Sequence, residues 1–242
     1  MRIWHLACFS VTDHLRSSKL LVEALLIAGF LLFFWDHPQQ TWRLDFFLWH
    51  SFFLMLLAGV ESYLFLGRAV DRRFHLVLNH IGTRRAALLG IFLAVALILG
   101  GVTLGFILAG AVFTSVLRET SVPAYLGGSL LLWLNLLTTV ALCFLFSPLA
   151  MGSNLGWVAL ALVVFGFSRD AFLLGPGSGV LGGLGGLLHA LLPPFYETIN
   201  AAEGRLGWGP ALEAGLHQMV YGALALALAL RSCQRRDLEP MN

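Results

Sequence analysis

Two kinds of polar side chain inside apolar sequence, Glu61 and a histidine such as His50, could carry out acid–base chemistry. Glu61 follows FFLMLLAGV and precedes YLFLGR, and His50 lies eleven residues earlier in the same apolar stretch. A carboxylate and an imidazole can act as general base and general acid. On one helix, however, eleven residues span about three turns, or roughly 16 Å, so the pair needs a group from another helix. An intramembrane enzyme built on these residues stays open as an alternative function.

Polar groups at membrane depth are costly, so each one indicates a partner or a function. For Glu61 we favour a structural ion pair at the cytoplasmic gate of the bundle over direct contact with substrate. Its candidate partners are Arg68, Arg84 and the N-terminal helix. Hydrogen bonding between helices is an equally good interpretation for the other polar residues, although they could also line a cavity. These residues are His50, Asn135, Glu23 and His217.

Motifs for cofactors and catalysis are missing from the sequence. The single lysine follows RSS with no glycine nearby, so there is no P-loop. The GxGxxG match at 177–182 lies between apolar segments and not between a strand and a helix. His75 and His80 are five residues apart and fall on different faces of a helix, which argues against a metal site. We therefore expect no catalytic residue, no metal and no cofactor in this chain.

Composition places the chain in a membrane. Of its 242 residues, 58% are hydrophobic and 12% are charged, and the mean hydropathy is +0.83. Soluble domains have about 45–50% apolar and about 25% charged residues. The net charge of +2 is too small to indicate nucleic acid binding. Cys8, Cys143 and Cys233 are odd in number and far apart, so we expect buried thiols and no disulfide.

Six apolar stretches are long enough to cross the hydrocarbon core, which takes about 20 residues. Each must be a helix, because a single strand leaves its backbone polar groups unsatisfied in lipid. The fold class predicted is therefore an all-α integral membrane protein that forms one domain over residues 1–242. The predicted spans are Lys19–Trp35, Phe46–Leu66, Ala86–Val112, Tyr125–Phe146, Leu155–Leu173 and Ala211–Leu230.

The distribution of basic residues predicts the orientation. With both termini in the cytoplasm, eleven arginine and lysine residues lie on the cytoplasmic side and four on the other. Residues 1–18 alternate apolar and polar positions and include Trp4, which predicts an amphipathic helix in the membrane interface. Membrane lipids are therefore expected as partners of the chain.

Two connections between the spans carry their own signals. Residues 67–85 contain five arginines interleaved with periodic apolar residues, which predicts a short helix with one side available to a partner. Residues 174–210 are too long for a tight loop and too apolar for disorder, which predicts a broken or re-entrant helix on the outward side. The residues expected to cap that side are Pro193, Pro194, Phe195 and Tyr196.

Four short motifs, in the right order along the chain, resemble those of the permease subunit of a type-2 ABC exporter. They are LRSSKLL at 15–21, IGTRRAALLG at 81–90, LLPPFYETI at 191–199 and RSCQRRDL at 231–238. The second span carries no family motif, so the resemblance leaves the substrate open among lipids, glycans, peptides, antibiotics and factors for metalloenzyme assembly. The matching positions are Thr83, Arg84, Leu88, Leu89 and Gly90 at the third span, and Arg235, Arg236, Asp237 and Leu238 near the C-terminus.

This resemblance implies a permease in the inner (cytoplasmic) membrane that works as a homodimer or heterodimer and binds two cytoplasmic ABC ATPase subunits. ATP and Mg²⁺ would then be bound by those subunits, and this chain by itself would not be an enzyme. A gradient-driven carrier is another alternative, but such carriers usually show an internal repeat of spans, which is not seen here. The residues implied to couple to the ATPase are Arg68, Arg72, Arg73, Phe74, His75, Arg84 and Arg85.

Overall fold

A computed structural model describes residues 2–17, 19–35, 42–70, 83–113, 117, 120–151, 155–167, 194–204 and 207–236. Every regular element within these residues is a helix, as predicted. The helices are α1 (Arg2–Leu15), α2 (Lys19–Trp35), α3 (Trp42–Val70), α4 (Arg84–Phe113), α5 (Val122–Leu145), α6 (Pro148–Met151), α7 (Gly156–Phe167), α8 (Phe195–Ala202) and α9 (Trp208–Arg236).

Among the described residues, four stretches of helix are long and apolar enough to cross a membrane, which indicates a membrane protein. They correspond to the second, third, fourth and sixth predicted spans. The first predicted span forms α2 with the expected bounds, and the fifth is described as a helix only as far as Phe167. Most of the predicted re-entrant region lies outside the described residues. The four stretches are Phe46–Gly67, Arg84–Val112, Val122–Met151 and Trp208–Gln234.

One end of the bundle brings together α1, the beginning of α4 and the C-terminal end of α9; we call it the basic end. Arg85 Nη1 donates a hydrogen bond of 3.5 Å to Gln234 Oε1. Cys233 Sγ lies 3.4 Å from the carbonyl oxygen of Leu149, just after α5. The helix α4 therefore runs opposite in direction to α5 and α9.

The opposite end, which we call the aromatic end, is held by a cluster at the beginnings of α3 and α5. Phe46, Phe47, Tyr125 and Ala202 are buried there together. The Tyr125 hydroxyl donates a 2.7 Å hydrogen bond to the carbonyl oxygen of Ile107 in α4. This bond satisfies the polar tip of an otherwise apolar side chain. The cluster fixes the spacing of α3, α4 and α5 at this end.

The N-terminal helix packs along α4 through one stripe of its surface. Leu6, Ser10 and His14, four residues apart, are buried, whereas Trp4 and Phe9 are exposed. A side chain at Gly90 would place its Cβ 2.6 Å from Leu6 Cδ2 and 3.1 Å from Leu6 Cβ, so the glycine permits this close approach. One side of the helix therefore lies on the protein, and apolar side chains are left exposed on the rest of its surface.

Candidate functional site

Three helices bring ionisable side chains together at the basic end. His14 lies in the last turn of α1, Glu23 in the first turns of α2, and Glu61 toward the end of α3. His14 Nε2 is 2.7 Å from Glu23 Oε1 and 3.7 Å from Glu61 Oε2. All three side chains are buried. We call these three residues the His14 cluster.

Local structure explains why His14 and Glu23 meet. The Ser17 hydroxyl donates a 2.8 Å hydrogen bond to the carbonyl oxygen of His14, and the Ser17 amide bonds the same oxygen. The Leu20 amide in turn donates to the Ser17 carbonyl. These bonds satisfy backbone groups at the end of α1 and the beginning of α2. The two helices therefore follow one another through a tight connection, with the imidazole and the carboxylate on facing sides.

Phe65 fixes the orientation of the imidazole. Its ring stacks on His14 with centroids 5.0 Å apart and an interplanar angle of 25°. Phe65 follows Glu61 by four residues, so both side chains lie on the same face of α3. One face of α3 therefore supplies both a carboxylate and an aromatic surface to the same imidazole.

The His14 cluster places ionisable groups where charge is difficult to stabilise. Two carboxylates and one imidazole lie in a buried site, where an uncompensated charge is costly. His14 Nδ1 is buried and has no hydrogen-bond partner among the described residues. His14 Nε2 contacts both carboxylates, so the imidazole is the group that the two glutamates share. Such an arrangement can share a proton between its members or bind a cation.

His50 lies apart from the cluster, in an aromatic surrounding. Its ring stacks on Phe46 at 4.0 Å and meets Phe30 and Phe106 edge to face, each at 5.3 Å. Nδ1 lies 2.7 Å from the carbonyl oxygen of Phe46, and since a carbonyl only accepts, Nδ1 carries the proton. The helix bearing both His50 and Glu61 thus directs them to different neighbours, and Glu61 contacts His14.

Asn135 makes a hydrogen bond between helices, one of the two roles expected for it. Its Oδ1 accepts a 2.7 Å bond from the Thr198 hydroxyl of α8. Nearby along α5, the Thr138 hydroxyl donates to the backbone carbonyl of Gln218 in α9 at 3.3 Å. Asn135 Nδ2 and the side-chain amide of Gln218 are buried without a hydrogen-bond partner in the described part of the chain. A polar seam therefore runs through the interface of α5 with α8 and α9.

The residues predicted to cap the outward side pack into the bundle. Pro194 and Phe195 are buried and Tyr196 is half-buried. Phe195 belongs to the main apolar core. Pro193 lies outside the described residues. The segment that begins α8 is therefore held by the core.

The residues predicted to couple to an ATPase fall mainly outside the described chain. Arg72, Arg73, Phe74 and His75 are in that group, and only the backbone of Arg68 is described, within α3. The remaining two residues are the first of α4, at the basic end. Arg84 is half-buried, and Arg85 is exposed and donates a hydrogen bond to Gln234.

His14 is the residue of the cluster that the sequence analysis did not single out, although its spacing from Leu6 and Ser10 places it on the buried stripe of α1. That spacing was the available signal. Glu23 was considered only as one of several polar residues able to line a cavity, because no pattern in one helix indicates which residue of another helix it faces.

Comparison of the chain with protein-family models, with curated proteins and with solved structures finds no match.

Proposed function

We propose that this chain is the transmembrane subunit of an ABC exporter. In this proposal it forms a permease dimer in the cytoplasmic membrane, with itself or with a sister chain, and moves its substrate by coupling to separate ATPase subunits. The observation that carries the proposal is the basic end. Several helix ends come together there: the end of α9, α1, and both ends of the connection between α3 and α4. Transmission of force from a cytoplasmic partner requires such an arrangement.

Contacts at the basic end would pass a displacement of residues 67–85 to three helices. The segment continues directly from α3, which bears Glu61, and leads directly into α4, which bears Gly90. Glu61 contacts His14 of α1, and Gly90 packs against Leu6 of α1. Packed interfaces of this kind shift as units between discrete arrangements, because their interiors do not deform continuously.

The full membrane architecture proposed has six spans. The helix α2 has 17 residues, or about 26 Å of length, which is at the lower limit for crossing a core of about 30 Å. In the proposal α7 continues beyond Phe167 to complete the fifth span. Residues 174–210 re-enter from the outward side, where Pro194 and Phe195 close the bundle.

Coupling in this proposal follows from differential binding. ATP and Mg²⁺ bind to the partner ATPase, whose ATP-bound and ATP-free states must differ in affinity for the two conformations of the permease. Closure of the ATPase dimer displaces residues 67–85, and the helices tilt from an inward-open to an outward-open arrangement. The basic side chains of the segment supply the contact with the ATPase.

The test is purification of the tagged chain from its native host in mild detergent, with identification of co-purifying proteins and an assay of ATP hydrolysis. We expect a stoichiometric partner with a Walker motif and vanadate-sensitive activity. Arg72→Glu combined with Arg73→Glu should release that partner while the permease stays folded and inserted. The matched control is Arg231→Glu combined with Arg235→Glu, which reverses two charges at the C-terminal end of α9.

Two results would contradict the proposal. One is a chain that purifies alone and without ATPase activity in several mild detergents. The other is a complex that survives the Arg72 and Arg73 reversal in size-exclusion chromatography, which would remove residues 67–85 from the contact with the ATPase.

A further inference from the structure

We propose that the His14 cluster is a binding site for a divalent transition-metal ion of the Zn²⁺ class. The site would lie between α1, α2 and α3, with His14 Nε2 and one carboxylate oxygen each from Glu23 and Glu61 as ligands. The inference rests on the geometry and chemistry of these three residues and holds whether or not the chain is an ABC permease.

The spacing of the ligand atoms suits a small ion. One ligand atom from each residue lies within 4.8 Å of the others. Tetrahedral zinc with bonds of about 2.0–2.2 Å keeps its ligands about 3.3 Å apart. The 2.7 Å contact of His14 with Glu23 would open slightly, and the 3.7 Å contact with Glu61 would close slightly. Rotation of the two glutamate side chains therefore needs to shift their carboxylate oxygens by less than about 2 Å to admit the ion.

The composition of the site selects the type of cation. Mg²⁺ and Ca²⁺ prefer six or more oxygen ligands, whereas imidazole nitrogen suits zinc and its neighbours among the transition metals. Two carboxylates, a neutral imidazole and a divalent ion sum to zero charge, which is the condition a buried site favours. Three protein ligands leave one tetrahedral position for a water molecule or another ligand.

The residues around His14 fix its imidazole in an orientation suited to metal binding. His14 is fully buried, its Nε2 faces both carboxylates, and Phe65 stacks on the ring. Fixing the ring in this way reduces the entropy lost when a ligand is ordered. Because the three ligands come from three helices, a bound ion would join α1 to α2 and α3.

Zinc binding by the full-length chain tests the inference. The protein is purified in mild detergent, treated with EDTA and dialysed against Zn²⁺, with Mg²⁺ in excess as a competitor. We expect one tightly bound zinc ion per chain. Glu23→Gln and Glu61→Gln should each weaken binding by more than about tenfold, since removing a ligand costs at least as much as removing an outer-shell group. The matched controls are His5→Gln, exposed on α1, and Glu213→Gln, exposed on α9, which should bind zinc as the wild type does.

A second measurement does not depend on the folding of any variant. X-ray absorption at the zinc edge of the loaded wild-type protein should show one imidazole and oxygen ligands at about 2.0–2.2 Å, and no sulfur. Sulfur ligands would assign the zinc to Cys8, Cys143 or Cys233 and overturn the inference. Equal affinity in the glutamine variants, or a wild-type chain that retains no zinc, would overturn it as well.

Discussion

At the scale of single residues, the contact of His14 with Glu61 shows how a carboxylate is accommodated deep in an apolar bundle. The imidazole of His14 lies on the short N-terminal helix, 47 positions before Glu61 in the sequence. It contacts both carboxylates of the cluster. Removing one partner of a buried pair leaves the remaining charge poorly compensated. The stability of the basic end should therefore depend on this imidazole.

We predict that His14→Ala, assayed in EDTA, lowers the free energy of unfolding by on the order of 3–5 kcal/mol, because both carboxylates lose the imidazole. Combining it with Glu61→Gln should cost less than the sum of the two single changes, with a coupling of about 0.5–3 kcal/mol. Unfolding in mixed micelles, followed by tryptophan fluorescence, measures both quantities. His5→Ala on the exposed face of α1 is the control and should stay within about 0.5 kcal/mol of the wild type. Strict additivity of His14→Ala and Glu61→Gln would contradict the coupling.

The sequence could indicate that Glu61 needs a partner, because an apolar segment imposes that need within one helix. It could not choose among Arg68, Arg84 and the N-terminal helix, since the choice depends on how α1 crosses the bundle. His50 shows the same limit. Its burial was foreseeable from its neighbours, but its aromatic surroundings come from α2 and α4 as well as α3.

At the scale of helices, close approach depends on a few glycines. A Cβ at Gly128 of α5 would lie 2.9 Å from the carbonyl oxygen of Ala202 and 2.7 Å from Phe47 Cζ. The backbone oxygen cannot rotate away as a side chain can, so α8 would have to move. By contrast, a Cβ at the adjacent Gly127 meets nothing within 4 Å. Comparing alanine substitutions at the two neighbouring glycines therefore separates the effect of packing from the effect of helix propensity.

We predict that Gly128→Ala destabilises the aromatic end by about 1–3 kcal/mol, the usual cost of overpacking. Gly127→Ala should be neutral or stabilising by up to about 1 kcal/mol, because alanine favours helix over glycine. Thermal unfolding in detergent compares the two, and hydrogen exchange of α8 locates the effect. Equal stability of the two variants, with unchanged exchange in α8, would show that α8 does not pack against Gly128.

Helix bounds were predictable to within a few residues, and the deviations have a common cause. The second span was expected at Phe46–Leu66, but α3 runs from Trp42 to Val70. Apolar sequence marks the part of a helix that lipid or protein must cover, whereas the backbone hydrogen bonds continue through polar residues beyond it. Composition could not predict the contact of α8 with α5 either, because it depends on the close approach at Gly128 and on the hydrogen bond of Thr198 with Asn135, which join residues far apart in the sequence.

At the scale of the whole molecule, the alternation of helix direction is the feature that links fold to function. The connection between α3 and α4 and the C-terminal end of α9 share the basic end, while the beginnings of α3, α5 and α9 belong to the other. The excess of arginine at the basic end predicts that it faces the cytoplasm. The exporter proposal requires this orientation, because the ATPase is cytoplasmic.

Impermeant thiol labelling tests that orientation directly. Cys8 is exposed, so the expectation of a buried thiol is wrong at this position, and it is first replaced by serine. In that chain Thr83→Cys places an exposed thiol beside α4 at the basic end, and Gly207→Cys places one before α9 at the aromatic end. We predict that position 83 is labelled only in inside-out vesicles and position 207 only in right-side-out cells. Labelling of both positions from one side would contradict the alternation of the helices. Labelling with the sides exchanged would keep the bundle but invert it, and residues 67–85 could then not meet a cytoplasmic ATPase.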